Sequence, residues 1–225
     1  RDRQLDNRLY DSSLLVLLEE PLASGQERTL EIAYELELRD YAPGRAWYPG
    51  TDGDETILSD PHTGRLKLTV RGRHEARAMG DLVADEGSTA EGRETTVWKV
   101  EQPTKMLSFV YTEEKFHEEP VTPEGGPEVI AFGERVGLAT ASKFHNVGAD
   151  VANSLNFFSR LFEAPLSRRR FYVTAIDGNH GQSFDGFLEL SRDSFWSESP
   201  GAAELFRAHE VAHQWWGHLV GPASY

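Results

Sequence analysis

The sequence predicts an α+β fold, with an antiparallel β-sandwich or saddle-like sheet first and an α/β part after it. In the first half, apolar and polar side chains alternate along several short segments, which is typical of strands with one face in a core. Near the middle, residues 118–127 contain three prolines and two glycines, which interrupt regular structure. Beyond them, a helical apolar pattern stands between buried-strand patterns. These observations divide the chain into a β-rich domain over residues 1–118 and an α/β domain over residues 119–225.

The strands of the β-rich domain are predicted from side-chain alternation. Every second residue between 30 and 38 is leucine, isoleucine or tyrosine, and Glu31, Glu35 and Glu37 stand between them. A strand with one buried face has this period of two. The same pattern predicts strands over residues 65–70, 95–100 and 106–111. Residues 84–93 are rich in turn-forming types and are predicted to connect strands.

The α/β domain is predicted from a change of period. Residues 118–127 are expected to form neither helix nor strand, because proline has no backbone N–H to donate. A helix is predicted over 150–164, with Asp150 as its cap and Pro165 as its end. Apolar runs predict strands over 128–136 and 171–176.

Composition limits the classes of partner. The chain has 225 residues, of which 39% are hydrophobic and 11% aromatic, as in an ordinary globular protein. Its net charge of −14 argues against binding a nucleic-acid backbone, which requires basic surface. Without cysteine it can form no disulfide and no thiol site, and the compartment stays open. No apolar run is long enough to predict a membrane segment.

The run from His209 to His213 carries the strongest chemical signal, because it fits the spacing H-E-x-x-H. On a helix, residues four apart lie on one face about 6 Å apart along the axis, so two imidazoles can converge on one ion. Zinc is the ion expected for such ligands, and it activates a water molecule. Glu210, next to the first ligand, is placed to accept the proton of that water. The alternative is a pair of core histidines satisfied by hydrogen bonds.

The flanking residues predict that this motif lies in the middle of a helix. Ser199-Pro200 is typical of an N-cap followed by proline in the first turn, and Gly217 offers a C-cap. An apolar stripe at helical spacing is predicted to face the core, and it consists of Leu205, Ala208, Ala212 and Trp216.

The longer run 209–220, HEVAHQWWGHLV, resembles the zinc helix of the aminopeptidase N family of gluzincin metallopeptidases, which typically reads HE-[LIV]-[AS]-HQW-[FW]-G-[ND]-LV. His218 replaces the usual Asn or Asp. More weakly, Trp47-Tyr48-Pro49 resembles the later part of that family's N-terminal β-domain. The resemblance implies the first portion of a thermolysin-like catalytic domain, with zinc as cofactor. It also implies a peptide or protein substrate, with Glu210 as general base.

The third zinc ligand is expected outside the chain. The metzincin pattern requires Gly and His where this sequence has Trp216 and Leu219, so that class is excluded. The resemblance instead implies a glutamate on a following helix, and a downstream tyrosine that stabilises the oxyanion. Residues 214–225 contain no Asp or Glu. We therefore expect the chain to be a fragment of a longer polypeptide, inactive alone and weak in zinc binding.

A second family motif is altered here. Aminopeptidases of this type carry G-[AS]-M-E-N on the edge strand beside the zinc, where the glutamate holds the free α-amine of the substrate. The matching residues, expected to bind substrate, are Gly181, Gln182, Ser183, Phe184 and Asp185. Phe184 takes the glutamate's place, and an apolar ring cannot neutralise an ammonium group. We expect recognition of the α-amine to be weakened, unless Asp185 acts as a substitute anchor or is a turn residue.

Three functions stay open from the sequence. The first is a zinc aminopeptidase, the second an inactive scaffold that retains the fold, and the third an endopeptidase or other zinc hydrolase. Trp215 and Trp216 are expected to be packing residues. His218 is expected at a solvent-facing helix end, with a role beside the metal ligands as the alternative.

Overall fold

The computed structural model describes residues 6–10, 13–18, 20–35, 47–49, 61–134, 140–196 and 201–221. Twelve strands and three helices lie in these ranges. The strands are β1 (Asp6–Tyr10), β2 (Ser13–Leu17), β3 (His62–Arg71), β4 (Glu75–Ala78), β5 (Asp81–Ser88), β6 (Arg93–Thr104), β7 (Phe109–Thr112), β8 (Phe116–Val121), β9 (Glu128–Glu134), β10 (Arg170–Ile176), β11 (Gln182–Phe184) and β12 (Phe187–Ser191). The helices are α1 (Thr140–Leu161), α2 (Arg192–Trp196) and α3 (Ala202–Ala212).

The first part of the chain is antiparallel β-structure, as predicted. Strands β3, β6 and β5 form one sheet in that order, β4 pairs with β7, and β1 pairs with β2. The predicted strands at 65–70 and 95–100 lie within β3 and β6, which pair along most of their length. The prediction for 106–111 is right for its second half, where β7 begins at Phe109.

Two predictions in this part are wrong. Residues 30–35 of the segment predicted as a strand form none, and the side chains of Leu30, Ile32 and Tyr34 are exposed, while residues 36–38 lie outside the described residues. Alternation describes side chains, whereas a strand also requires a neighbour for its backbone, and none of the described strands pairs with this segment. Residues 84–88, predicted as a connection, belong to β5. Their polar side chains suit β5 because it is one of the two outer strands of its sheet and is largely exposed.

The second part of the chain is built on a five-stranded mixed sheet in the order β11-β12-β10-β9-β8. Strand β10 runs parallel to both β9 and β12, and the two outer strands run antiparallel to their neighbours. The predicted strands at 128–136 and 171–176 correspond to β9 and β10. The H-E-x-x-H motif comes after this sheet in the sequence, and β11 is one of the two edge strands of the sheet.

The proline-rich segment is partly a strand, contrary to prediction. Residues 118–121 belong to β8, where Pro120 lies opposite Ile130 of β9. An outer strand tolerates proline because the missing N–H can face away from the sheet. The proposed domain boundary at 118/119 falls inside this strand.

Helix α1 begins ten residues earlier than predicted, so Asp150 lies in its middle and is not a cap. The Asp150 carboxylate instead forms an ion pair with Arg207 of α3, whose side chain is buried. The guanidinium of Arg207 also donates to the carbonyl of Ser194 in α2. The predicted apolar face of α1 is confirmed at Val151 and Leu155, which are fully buried. Thus one arginine joins all three helices.

Two cores lie on opposite faces of the five-stranded sheet. Helices α1 and α3 cover one face, where Phe144, Leu155, Leu188 and Val211 are among the buried residues. The β-rich part covers the other face through a second cluster that includes Leu66, Trp98, Phe132, Tyr172, Phe184 and Phe187. Ser108 crosses this second interface by donating a 2.7 Å hydrogen bond to the buried carboxyl of Glu189 in β12. Among the described helices, none is both long enough and apolar enough to cross a membrane.

Candidate active site

The H-E-x-x-H residues lie at the C-terminal end of α3 rather than in its middle. His209 and Glu210 are in the last turn, and His213 is the C-cap. The N-cap is Gly201, whose N–H donates to the Glu204 carboxylate at 2.7 Å, and not Ser199 as predicted. Ser199 and Pro200 lie outside the described residues. The motif thus stands where the helix meets the turn that follows it.

The predicted apolar stripe is not the face that α3 buries. Leu205 and Trp216 are exposed, whereas the buried residues of the helix are Ala203, Arg207, Glu210 and Val211. The apolar periodicity assigns Arg207 and Glu210 to the solvent side, but both of these charged side chains lie inside. The buried face of α3 therefore includes the polar groups that the site and the helix contacts require.

The two histidines converge as the spacing predicts. Their Nε2 atoms are 3.2 Å apart. Two nitrogens bound to one tetrahedral zinc at about 2.0–2.1 Å would be about 3.3–3.4 Å apart, so the pair fits that ion. The Nδ1–H of His213 donates to the carbonyl of Trp216 at 3.0 Å, which leaves the Nε2 lone pair of His213 for a ligand. The pair can supply two ligands.

A zinc site takes at least three protein ligands, and the described residues bring these two histidines together. Within those residues no group of three or more His, Asp or Glu side chains is arranged to hold a metal ion. His209 and His213 are the two residues of this region that could contribute ligands to a metal ion.

Glu210 is buried beside the histidine pair and lies against β11. A Cβ placed on Gly181 would be 2.5 Å from Oε1 of Glu210 and 2.6 Å from its Cδ. The carboxylate therefore packs directly on the Gly181 backbone, where any larger residue would displace it. Glu210 also interacts with neighbouring groups in the chain. The family resemblance places Gly181 near the site, and the structure places it in contact with the proposed base.

A cavity of about 670 Å³ opens in front of these residues. Helix α3 and the turn after it form one wall, β11 forms a second, and a loop of the β-rich part forms a third. The residues that line it are Lys105, Met106, Gly181, Gln182, Ser183, His209, Glu210, His213, Trp216, Gly217, His218, Val220 and Gly221. A cavity of this size can take several residues of an extended peptide.

Of the five residues predicted to bind substrate, three line this cavity and two do not. Gly181, Gln182 and Ser183 line it. Phe184 is fully buried in the core between the sheet and the β-rich part. Asp185 pairs with Arg168, with 2.8 Å between Oδ2 and a guanidinium nitrogen, and faces a separate cavity. Neither residue therefore lines the cavity beside the histidine pair.

Gln214 ties the hairpin of β11 and β12 to the motif, a role that the sequence did not suggest. Its side chain is buried and makes three hydrogen bonds. Nε2 donates to Ser183 Oγ at 2.7 Å and to the Phe184 carbonyl at 3.0 Å, and Oε1 accepts from the Gly186 N–H at 2.9 Å. The glutamine thereby holds β11 at a defined distance from the histidine pair.

The predictions for three other residues of the 209–220 run are right in one case and wrong in two. Trp215 is a packing residue, as predicted, and its Nε1 donates to the Ala164 carbonyl at 2.7 Å. Trp216 is exposed at the cavity, where its ring makes an edge contact with Phe162, so the packing role predicted for it is wrong. His218 is half-buried and not solvent-facing, and its Nε2–H donates to the Ser183 carbonyl at 3.0 Å. Burial lowers the pKa of His218.

Lys105 is a second feature of the cavity that sequence reasoning missed. It follows β6 and projects from the β-rich part, more than 75 residues away from β11 in the sequence. The only local signal was a lysine between two apolar strand patterns, which usually marks a solvent-exposed turn. Its place beside the histidine pair depends on how the two parts of the chain pack.

Comparison of the chain with models of known protein families gave no match, and comparison with curated proteins gave none either. The resemblance of residues 209–220 to the aminopeptidase N zinc helix thus rests on that run and on the geometry around it.

Proposed function

We propose that this chain carries the metal-binding and proton-transfer residues of a zinc-dependent peptidase. The observation that carries the proposal is the 3.2 Å approach of the His209 and His213 Nε2 atoms beside the buried carboxylate of Glu210, at the wall of a peptide-sized cavity. His209 and His213 would hold the ion, and a carboxylate outside the described residues would complete its ligands. When bound, zinc supplies a Lewis acid for the scissile carbonyl and for the attacking water.

Glu210 is the proposed general base. Its carboxylate accepts a proton from the attacking water and later delivers it to the leaving amine. Contact with Gly181 sets the position of the carboxylate relative to the edge of the sheet. A protein with this site and a complete set of zinc ligands would thus cleave peptide bonds in a substrate lying along β11.

The assignment of roles is tested by two variants, made in a form of the protein in which the zinc ligands are complete. In His213→Ala the protein should lose bound zinc, because one of its two ligands in the chain is gone. In Glu210→Gln it should keep zinc and lose at least 10²-fold in turnover, because the base is gone and the ligands remain. Metal analysis of both proteins and assay of the second give the answer. Zinc retention by His213→Ala would refute the site.

An inactive scaffold is the competing function. It predicts that the zinc-loaded, full-length polypeptide hydrolyses no peptide, and that Glu210→Gln changes nothing measurable. A mixture of unrelated peptides analysed by mass spectrometry, before and after incubation, separates the two functions and requires no assumption about the substrate sequence.

The proposed peptidase does not depend on a free α-amine. Support comes from Phe184, which is buried in the core, and from Asp185, which is engaged by Arg168 in another cavity. An endopeptidase or a similar hydrolase is therefore favoured over a strict aminopeptidase. Free and N-acetylated forms of one peptide should be cleaved with comparable kcat/KM. A preference for the free amine above about a hundredfold, roughly 2.7 kcal/mol in transition-state binding, would show that an amine anchor exists.

A further inference from the structure

The lining of the cavity includes one cationic side chain for which the proposed chemistry has no task. Among the described residues that line it, Glu210 provides the carboxylate, and its proposed task is proton transfer. The cation is Lys105, on the wall formed by the β-rich part. A substrate ammonium group beside Lys105 would be repelled, whereas a carboxylate would be attracted.

Lys105 stands close to the histidine pair through the turn that follows α3. Its ammonium group and the adjacent Cε lie beside Gly221, on the side to which a Cβ of that residue would point. Gly217 in the same turn lies beside His213, with 3.9 Å between the position of a Cβ and the His213 Nδ1. Lys105 and His213 therefore flank one short turn at the cavity wall.

The loop that presents Lys105 is rigid. Thr104, Met106, Leu107 and Ser108 are all buried, whereas Lys105 between them is half-exposed. The backbone of Leu107 is held on both sides: its N–H donates to the Tyr48 hydroxyl at 3.0 Å, and its carbonyl accepts from the Trp47 Nε1 at 2.8 Å. Folding therefore fixes the backbone that carries Lys105, so less conformational entropy is lost when a ligand binds there, as in sites built on fixed elements.

We propose that the cavity selects peptides with a carboxylate close to the scissile bond, and that Lys105 binds this carboxylate. The inference rests on the proposed peptidase function and specifies its substrate class. Lys105 also interacts with other groups of the chain, and an ammonium group has three N–H donors with which it can bind more than one partner. A hydrogen bond between two charged groups is about twice as strong as a neutral one, which makes it a sufficient basis for selectivity.

The carboxylate has two sources in a peptide, an Asp or Glu side chain and the C-terminus. Four peptides of one length separate them. The first is N-acetylated, C-amidated and uncharged, the second has a free amine, the third carries one Glu, and the fourth has a free C-terminal carboxylate. Calorimetric titration of each into the zinc-loaded Glu210→Gln protein, at low and high salt, measures binding without cleavage.

We expect the third peptide, the fourth or both to bind roughly tenfold more tightly than the first, and the second to bind no better than the first. The advantage should shrink at high salt. Lys105→Gln should remove it and Lys105→Arg should keep it. Lys67→Gln is the matched control, because Lys67 pairs with Glu86 on the exposed surface of β3 and β5. Equal affinity for all four peptides, no binding of any of them, or an advantage that survives Lys105→Gln would overturn the proposal.

Failure of this inference and failure of the peptidase function are distinguishable. If the function fails, the wild-type protein leaves every peptide intact, whereas the binding advantage of a carboxylate and its loss in Lys105→Gln can still be measured. If only the inference fails, peptides are cleaved with no regard to their carboxylates. Thermal melting of the Lys105 variants checks that they fold, and a half-exposed lysine is not expected to change the melting temperature by more than a few degrees.

Discussion

Gly181 determines where the Glu210 carboxylate can lie, because the two groups are in contact through the glycine backbone. In Gly181→Ala, the added methyl would occupy the space of the carboxylate and push it aside. We expect turnover to fall about 10–100-fold, since a small displacement of a catalytic group has effects of that order. The stability loss should stay within about 1–3 kcal/mol, as for other added methyl groups.

Zinc content is the internal control for this variant, because Gly181 meets Glu210 and not the histidines. Metal analysis should therefore give the wild-type value for Gly181→Ala. Wild-type turnover in this variant would mean that the position of Glu210 is unimportant, contrary to its proposed role.

Glu189 makes the stability of the protein dependent on pH. It is buried in β12, and burial raises the pKa of its carboxyl to about 8, a shift that the hydrogen bond from Ser108 opposes. An acid whose pKa is higher in the folded state loses stability as pH rises. The free energy of unfolding is therefore highest below about pH 4.5, and it falls by a few kcal/mol as the pH rises from about 4.5 to about 8.

Glu189→Gln should flatten this dependence, because the amide stays neutral at every pH and can still accept from Ser108. We expect the variant to be more stable than wild type near pH 8 and similar to it near pH 4.5. Urea unfolding across this range provides the measurement. Ser108→Ala should retain the pH trend, and identical curves for Glu189→Gln and wild type would contradict this account.

Between elements, Gln214 is the link that positions the edge strand β11 against the end of α3. Its amide satisfies two acceptors and one donor in the β11–β12 hairpin. Gln214→Ala would leave these buried groups unpaired. We expect a loss of roughly 2–4 kcal/mol in the free energy of unfolding.

Gln26→Ala is the matched control, because Gln26 is exposed and its side chain accepts one hydrogen bond, from the Ala23 N–H at 3.2 Å. Its effect should be within about 0.5 kcal/mol, as for most surface substitutions. Denaturant titrations compare the two glutamine variants directly. Equal effects would show that the hairpin is held by other contacts.

In the molecule as a whole, the cavity lies where the two parts of the chain meet. The β-rich part contributes Lys105 and Met106, and the α/β part contributes β11 and the end of α3. Because the proposed ion binds the folded arrangement of His209 and His213, zinc should stabilise the whole fold. At a free zinc concentration of 100 times the Kd, the gain should be about 2.7 kcal/mol.

Unfolding with and without a chelator measures this gain. It should vanish in His213→Ala and persist in His145→Ala, whose imidazole lies on the surface of α1 near Glu119. A gain that persists in the first variant would place the ion elsewhere in the protein.

The parts of the site that could be predicted are those with local causes. His213 follows His209 by four positions, and helix geometry turns this spacing into convergence without help from the rest of the chain. Strands β3, β6, β9 and β10 were likewise found from their own side-chain patterns, since each has a buried face or is buried throughout.

The parts that could not be predicted depend on contacts between distant segments. Residues 30–35 have the side-chain pattern of a strand but no described neighbour to pair with, and the segment with Pro120 is a strand because it lies at an edge. Phe184 lies outside the cavity because it is buried in the core between the two parts of the chain. Lys105 lies at the cavity because Trp47 and Tyr48 hold the loop that carries it. Spacing along a helix is set by local backbone geometry, whereas the charge of a cavity is set by which segments pack around it. The amino-acid sequence therefore identified the proposed chemistry, and folding determined which substrate groups can lie beside it.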